Sequence, residues 1–337
     1  MKIDLSIVIP TYNSQNTILA LLLSINNSVF KHFDKIEVVI VDDHSKDQTV
    51  KEINDIKKNL KFPLQLVLQK RNSGPAKARN LGVKKAKGTF ILFLDSDVIL
   101  FKNALNQAYE LIKKGHKAFT GIWHYKQMTK AFFPQFKALR DWTYWFVERE
   151  KNFRYYLFST RIAGIEKRLF NKIGGFNTSY PEATVEDIEL TYRIEKETRI
   201  KFSPRLMVSH EFEDFWTIAK KYFKRSRDWS KLYQERLRFD PVATSRREAA
   251  KSIIIALIVL FSILTMFEPY FVYTNLVLLL GFCYLEFKFW RFLFQKKGFI
   301  FLLKAIPVSI ILYLIINVGA LWGFVSSTNK RSLLLLI

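Results

Sequence analysis

Cysteine is nearly absent. Cys283 is the single one in 337 residues, and it lies in an apolar run. No intrachain disulfide can form, which fits a reducing compartment. Acid is also scarce, with 30 Asp and Glu against 53 Lys and Arg, for a formal net charge of +23. The start, "MKIDLSIVIP", does not read as a signal peptide, because its apolar run is short, carries Asp4 and has no small-residue cleavage site. There is no Walker-type glycine loop and no recognisable nucleic-acid-binding motif. What is abundant is apolar surface: 49% of residues are hydrophobic and 31 are phenylalanine. Strong positive charge has two usual partners, nucleic acid and anionic membrane. The apolar content and the missing motif favour the membrane.

Composition divides the chain near Lys251, and we expect residues 1–240 and 241–337 to form separate parts. Beyond the division, "SIIIALIVLFSILTMF" and "YFVYTNLVLLLGFCYL" carry almost no charge, and "IPVSIILYLIINVGALWGFV" is long enough to cross a bilayer. Two or three membrane-spanning helices are expected there, with a tight turn at Glu268–Pro269. Arg246, Arg247 and Lys251 precede the first run, and Lys288, Arg291, Lys296 and Lys297 follow the second. Basic flanks of this kind stay in the cytoplasm, so the N-terminal part is expected to be cytoplasmic.

The N-terminal part alternates short β-rich runs with helix-like stretches. "LSIVIP", "KIEVVIVDD", "LQLVLQK" and "TFILFLDSD" read as strands; "SQNTILALLLSINNS", "DQTVKEINDIKKNL" and "GPAKARNLGVKKA" between them have helical periodicity. That alternation predicts an α/β fold with a mostly parallel sheet and helices on both faces. Ligands bind such sheets beyond the carboxyl ends of the strands. Three strand ends there carry polar residues: Thr11, Tyr12 and Asn13; Asp42 and Asp43; Asp95 and Asp97. Two carboxylates at i and i+2 can converge on one hard cation, Mg²⁺ or Mn²⁺. Taken alone, Asp-x-Asp also suits a solvated turn.

The segments "VIPTYNS", "VIVDDHSKDQT", "RNSGPAKARNLGVKKAKGTFILFLDSDV" and "GGFNTSYPEATVEDIELTYRI" together resemble, in order, the family 2 glycosyltransferases with the GT-A (Rossmann-like) fold. The resemblance implies inverting transfer of a sugar from a nucleotide-sugar, a UDP-sugar before a GDP-sugar, with a divalent metal. It implies that Pro10, Thr11, Tyr12 and Asn13 line the nucleotide pocket, with Asp42 or Asp43 on the base or ribose. Arg71, Gly74 and Arg79 belong to a segment closing over the nucleotide. Asp95, Ser96 and Asp97 form the Asp-x-Asp, with Asp95, Asp97 and His210 as metal ligands. Glu186 and Asp187 fall where the family keeps its catalytic base, and Asp187 is preferred. An acceptor hydroxyl is a poor nucleophile and needs its proton accepted as it attacks. The same pair also suits the first turn of a helix. Arg225 and Trp229 sit in "RSRDW", where many membrane-bound members carry a Gln/Arg-x-x-Arg-Trp motif; Asp228 stands in place of its second Arg.

Aromatic and basic residues alternate over 132–158 and 220–239, as in helices at a membrane interface. The expected partners are a lipid bilayer, a nucleotide-sugar and a lipid-linked or glycan acceptor, with no nucleic acid. The alternatives are a processive polysaccharide synthase and a non-catalytic nucleotide-sugar-binding scaffold.

Overall fold

The strand runs and helical stretches appear in the expected order. The computed structural model describes residues 4–28, 32–33, 35–146, 157–180, 182, 184–237 and 245–334, without the side chains of 145, 146, 235, 236 and 327–334. The elements are β1 (Asp4–Thr11), α1 (Ile18–Asn26), β2 (Lys35–Asp42), α2 (Thr49–Lys57), β3 (Leu64–Leu68), α3 (Pro75–Lys85), β4 (Phe90–Leu94), β5 (Val98–Leu100), α4 (Ala104–Lys113) and β6 (Ala118–His124). They continue with α5 (Phe132–Phe146), β7 (Ile162–Glu166), α6 (Lys167–Lys172), α7 (Glu186–Glu197), β8 (Lys201–His210), α8 (Phe215–Arg236), α9 (Arg246–Leu264), α10 (Phe271–Lys297) and α11 (Phe299–Leu334). They form two units, one of residues 1–128 and 154–211, the other of 129–153 and 212–337.

The first unit holds an eight-stranded sheet in the order β3-β2-β1-β4-β7-β6-β8-β5. It is mixed. Neighbours from β3 to β4 are parallel, as are β6 and β8, while β7 runs antiparallel to β4 and β6, and β5 to β8. The register brings one set of strand ends to a single rim. Thr11 pairs with Asp42, and Val98, the first residue of β5, pairs with His210, the last of β8. Since β6 and β8 run in the direction of β4, their carboxyl ends reach this rim too.

Central strands are buried on both faces and therefore read as unbroken apolar runs rather than alternating ones. All five residues of β4 are buried. Phe93 packs edge-on against Phe158 and Phe176 at 6.1 and 5.4 Å between ring centroids. Gly164 leaves room for a ring: a Cβ there would lie 2.1 Å from Cζ of Phe119.

The second unit is helical. The three apolar runs of the sequence fall in α9, α10 and α11. Among the described residues, one helix is long and apolar enough to cross a membrane, Phe299–Ser326 within α11, with a mean hydropathy of 2.6. Small residues bring α11 against α8. A Cβ on Gly319 would lie 2.3 Å from Ser226 Oγ, and one on Gly323 would come closer still to Ser230, the close-approach geometry of small-xxx-small helix pairs. A buried polar cluster joins four helices. Lys251 of α9 meets Glu248 at 2.7 Å and Glu286 of α10 at 3.2 Å. Tyr313 of α11 lies 2.9 Å from Glu248 and 2.8 Å from Glu286, and Arg140 of α5 reaches Glu248 at 3.4 Å. Apolar side chains elsewhere in this unit face outward, among them Met266 at 82% and Leu280 at 70% exposure.

Candidate active site

The loops after β1 and β2 are stitched together. The Asn13 N–H donates to Ser45 Oγ at 2.9 Å, Lys46 N–H donates to Asn13 Oδ1 at 2.8 Å, and Ser14 N–H donates to Thr49 Oγ1 at 2.7 Å. Asn13 takes a left-handed φ of 49°, which an Asn side chain tolerates better than most. The stitching holds Tyr12 outward, half exposed, while Pro10 and Thr11 are buried. The Thr11 hydroxyl is buried with no hydrogen-bond partner among the described residues.

The two acids after β2 do different work. The Asp42 carboxylate accepts from the Ser45 N–H at 3.0 Å and from its hydroxyl. Asp43 closes the loop before α3, accepting from Gln69 Nε2 at 2.7 Å, from the Ser73 N–H at 2.8 Å and from the Gly74 N–H at 2.7 Å. Gly74 has φ of 88° and leads directly into Pro75, the first residue of α3, so the glycine makes the turn and the proline starts the helix. Arg71 is exposed on this loop.

Arg79 connects distant segments. Its guanidinium is buried at 4% exposure, donates to Asp95 Oδ1 at 2.8 Å and donates to Glu186 Oε1 at 3.1 Å. Burial works against its charge, but Asp95 and Glu186 more than offset that, and the group is held protonated above its ordinary range. The Phe176 ring lies 5.4 Å from the same guanidinium. The neighbouring Asn80 clamps the backbone of Phe176, accepting from its N–H and donating to its carbonyl, both at 2.9 Å. That clamp fixes the Gly174–Gly175 turn, whose φ values are +82° and +69°. One face of α3 therefore fixes three things: the Asp-x-Asp, the Gly-Gly-Phe turn and the start of α7.

Glu186 uses its second oxygen as well, Oε2 accepting from the Thr184 N–H at 2.8 Å. Asp187 Oδ1 accepts from the Ile188 N–H at 2.8 Å, and both residues are buried in the first turn of α7. Ser96 shares a 2.8 Å hydrogen bond with Ser14, tying the Asp-x-Asp turn to the β1 loop. His210 Nε2 lies 3.3 Å from Asp97 Oδ2, an approach set by the Val98–His210 pairing. Arg225 and Trp229 lie on α8, in the second unit.

A divalent cation fits these donors. Among the described residues, no three His, Cys, Asp or Glu side chains stand together as a complete ligand set. Asp97 and His210 offer an oxygen and a nitrogen side by side, while Asp95 is held by Arg79. Mg²⁺ and Mn²⁺ commonly take few protein ligands and fill the rest of their coordination with substrate phosphates and water.

The sequence places Arg79 in a segment closing over the nucleotide, and in the structure it bridges two carboxylates. Asn80, Ser14 and Arg161 carry no signal in the sequence, since their contacts are made only in the fold. Arg161, just before β7, sits half-buried with its guanidinium 4.4 Å from the centre of the buried Trp123 ring.

Residues 6–173 match the family described as Glycosyl transferase family 2. Over that stretch the chain is similar to a family 2 glycosyltransferase domain. Over 111 residues it is 38% identical to the poly(ribitol-phosphate) beta-N-acetylglucosaminyltransferase TarS of Staphylococcus aureus strain Mu50, a match covering 33% of this chain and 19% of TarS. The chain thus spans about a fifth of that relative's length. The crystal structure of S. aureus TarS 1–349 with UDP-GlcNAc aligns with a TM-score of 0.50 at 26% identity, covering 68% of this chain and 66% of that one. The mannosyltransferase PcManGT from Pyrobaculum calidifontis, in complex with GDP-Man and Mn²⁺, aligns with a TM-score of 0.57 at 17% identity, covering 96% and 88%. At that identity the likeness is one of fold.

Proposed function

We propose that the protein is an inverting, metal-dependent glycosyltransferase that moves a sugar from a nucleotide-sugar, a UDP-sugar first, to a lipid-linked acceptor at the cytoplasmic face of a membrane. The carrying observation is the Arg79 bridge. It brings Asp95 of the Asp-x-Asp and Glu186 of the Glu-Asp pair onto one guanidinium, although 91 residues separate them in the chain. One acidic group then serves the leaving diphosphate and the other the attacking hydroxyl.

In this reading Thr11 and Asp42 hold the nucleoside, and Asp43 keeps the 69–74 loop shut behind it. Asp97 and His210 would hold Mg²⁺ or Mn²⁺, with Asp95 adding to the negative field from its place on Arg79. When bound, the cation neutralises charge that develops on the departing diphosphate. Glu186 is bound through both oxygens and so orients the first turn of α7. Asp187 takes the acceptor's proton at its carboxylate as the hydroxyl attacks the anomeric carbon from the face opposite the leaving group.

The membrane part of the reading rests on the outward apolar side chains of α9 and α10, the long apolar segment of α11 and the positive charge. We assign residues 241–337 two or three crossings, α5 and α8 to the interface and the catalytic domain to the cytoplasm.

The test is Asp187→Asn in detergent-solubilised full-length protein. Sugar transfer should fall by about 10²–10⁴-fold, the usual worth of a positioned base, while UDP affinity in the presence of Mn²⁺ stays unchanged. Wild-type turnover in Asp187→Asn would remove this residue from the role.

A further inference from the structure

The first unit has a second polar hollow, at the other end of the sheet. β6 and β8 both run toward the rim, so their first residues, Ala118 and Lys201, lie away from it. Lys201 starts β8 and His210 ends it, a separation of up to about 30 Å at ~3.3 Å per residue. Beside these starts, the last turns of α4, the α4–β6 connection and the first half of β8 line a cavity of about 390 Å³.

Each of those three segments puts a basic side chain in its wall: Lys114 after α4, His116 before β6, and Lys201 and Arg205 of β8. Glu110 is the one acid among the lining residues. Elsewhere in this unit cations have partners, as where Lys172 meets Glu197 and Arg193 meets Glu189 at 2.6 Å. Here, among the described residues, the four basic side chains make no hydrogen bond or ion pair, and neither do the Gln107 amide and the hydroxyl of the buried Ser203. The cations are close enough to oppose one another. Burial, and then Lys201 and Lys114, hold the His116 imidazole below its ordinary range, so near pH 7 it is neutral and offers one N–H.

Three permanent cations against one acid leave a surplus of two positive charges. That surplus matches a phosphate monoester, which carries about −1.5 to −2 near neutral pH, better than a carboxylate. Leu111 and Phe202 add apolar wall, and the cavity has room for carbon beside the phosphate.

We propose that this hollow is a second ligand site, away from the sugar-transfer rim, which binds the phosphate monoester of a small skeleton through Lys114, Lys201 and Arg205, with Gln107 and Ser203 as further donors. The site does not depend on the sugar-transfer reading. Its chemistry suits both a soluble sugar phosphate and the headgroup of phosphatidic acid.

The experiment measures binding to full-length protein in detergent near neutral pH. Glucose 6-phosphate is compared with glucose, and dihexanoyl phosphatidic acid with dihexanoyl phosphatidylcholine. In at least one pair wild type should bind the monoester more tightly by about tenfold or more, the scale of one hydrogen bond to a charged group. The pair showing the preference names the source. Replacing Lys201→Gln and Arg205→Gln together should abolish the preference and leave UDP affinity with Mn²⁺ unchanged. Lys58→Gln, which removes an exposed charge just after α2, should change neither, and saturating UDP with Mn²⁺ should not displace the monoester. Four results overturn the proposal: no preference in either pair; an undiminished preference in the folded double variant; an equal loss in Lys58→Gln, which would make the attraction one of diffuse charge; or displacement by UDP, which would put the phosphate at the rim.

Discussion

Arg79 is a single side chain with two buried acidic partners, and its loss leaves more than a missing bond. Glu186 is 3% exposed, and a buried carboxylate stripped of its countercharge is costly. Arg79→Gln should therefore lower stability by about 3–5 kcal/mol, the usual cost of breaking a buried pair, read by thermal melting in detergent. Arg79→Lys restores the charge but cannot fork to both carboxylates, so it should recover stability in part while UDP affinity stays reduced. The sequence made the acids legible because the members of each pair lie within two positions of one another in the chain. It did not make Arg79's partners legible. In "PAKARNLGVKK" the arginine looks like one basic residue among several on a solvated helix, and only the seating of α3 turns it inward. Asn80 and Arg161 were silent for the same reason: their partners lie 96 and 38 residues away.

Elements were legible in proportion to their regularity. β1, β2, β3 and β4 are apolar runs of ordinary length, and each reads directly as a strand. β7 does not, because "IAGIE" is interrupted by a glycine and ends on a charged residue. That glycine is required: Ala at 164 would drive its Cβ into the Phe119 ring. Gly164→Ala should cost about 1–3 kcal/mol, as overpacked cores do, with a lowered melting temperature as the readout. Missing β7 also hid the antiparallel turn of the sheet, since periodicity reveals a strand but not its direction. In the helical unit, the contact between α8 and α11 depends on Gly319 and Gly323. Gly323→Leu should separate these helices and lower the melting temperature, whereas Leu at the outward-facing Val325 should leave it unchanged.

The whole molecule joins a net charge of +23 to a helical unit with apolar side chains turned outward. A charged exterior alone would give binding that salt reverses, because screening weakens surface attraction. Inserted apolar helices would not let go. The full chain should float with anionic liposomes and stay with them through a high-salt wash; release by salt would leave only peripheral attachment. The loss of charge from the apolar runs after Lys251 was legible from composition, but the two units divide at 128/129, 153/154 and 211/212 instead. The inclusion of α5 and α8 in the helical unit was not legible, since their mixed aromatic and basic pattern suits a domain surface as well as a helix partner.

A cation held between the Asp-x-Asp, His210 and the diphosphate of a nucleotide is the centre of the proposed reaction. Electron paramagnetic resonance of Mn²⁺ in the full-length protein tests this directly, because free and protein-bound Mn²⁺ give distinct signals. Wild type should retain Mn²⁺ strongly only when UDP is added, since the protein offers few ligands of its own, and Asp97→Asn should fail to retain it with UDP present. If Asp97→Asn holds Mn²⁺ and UDP as tightly as wild type, the metal and diphosphate do not meet at this site.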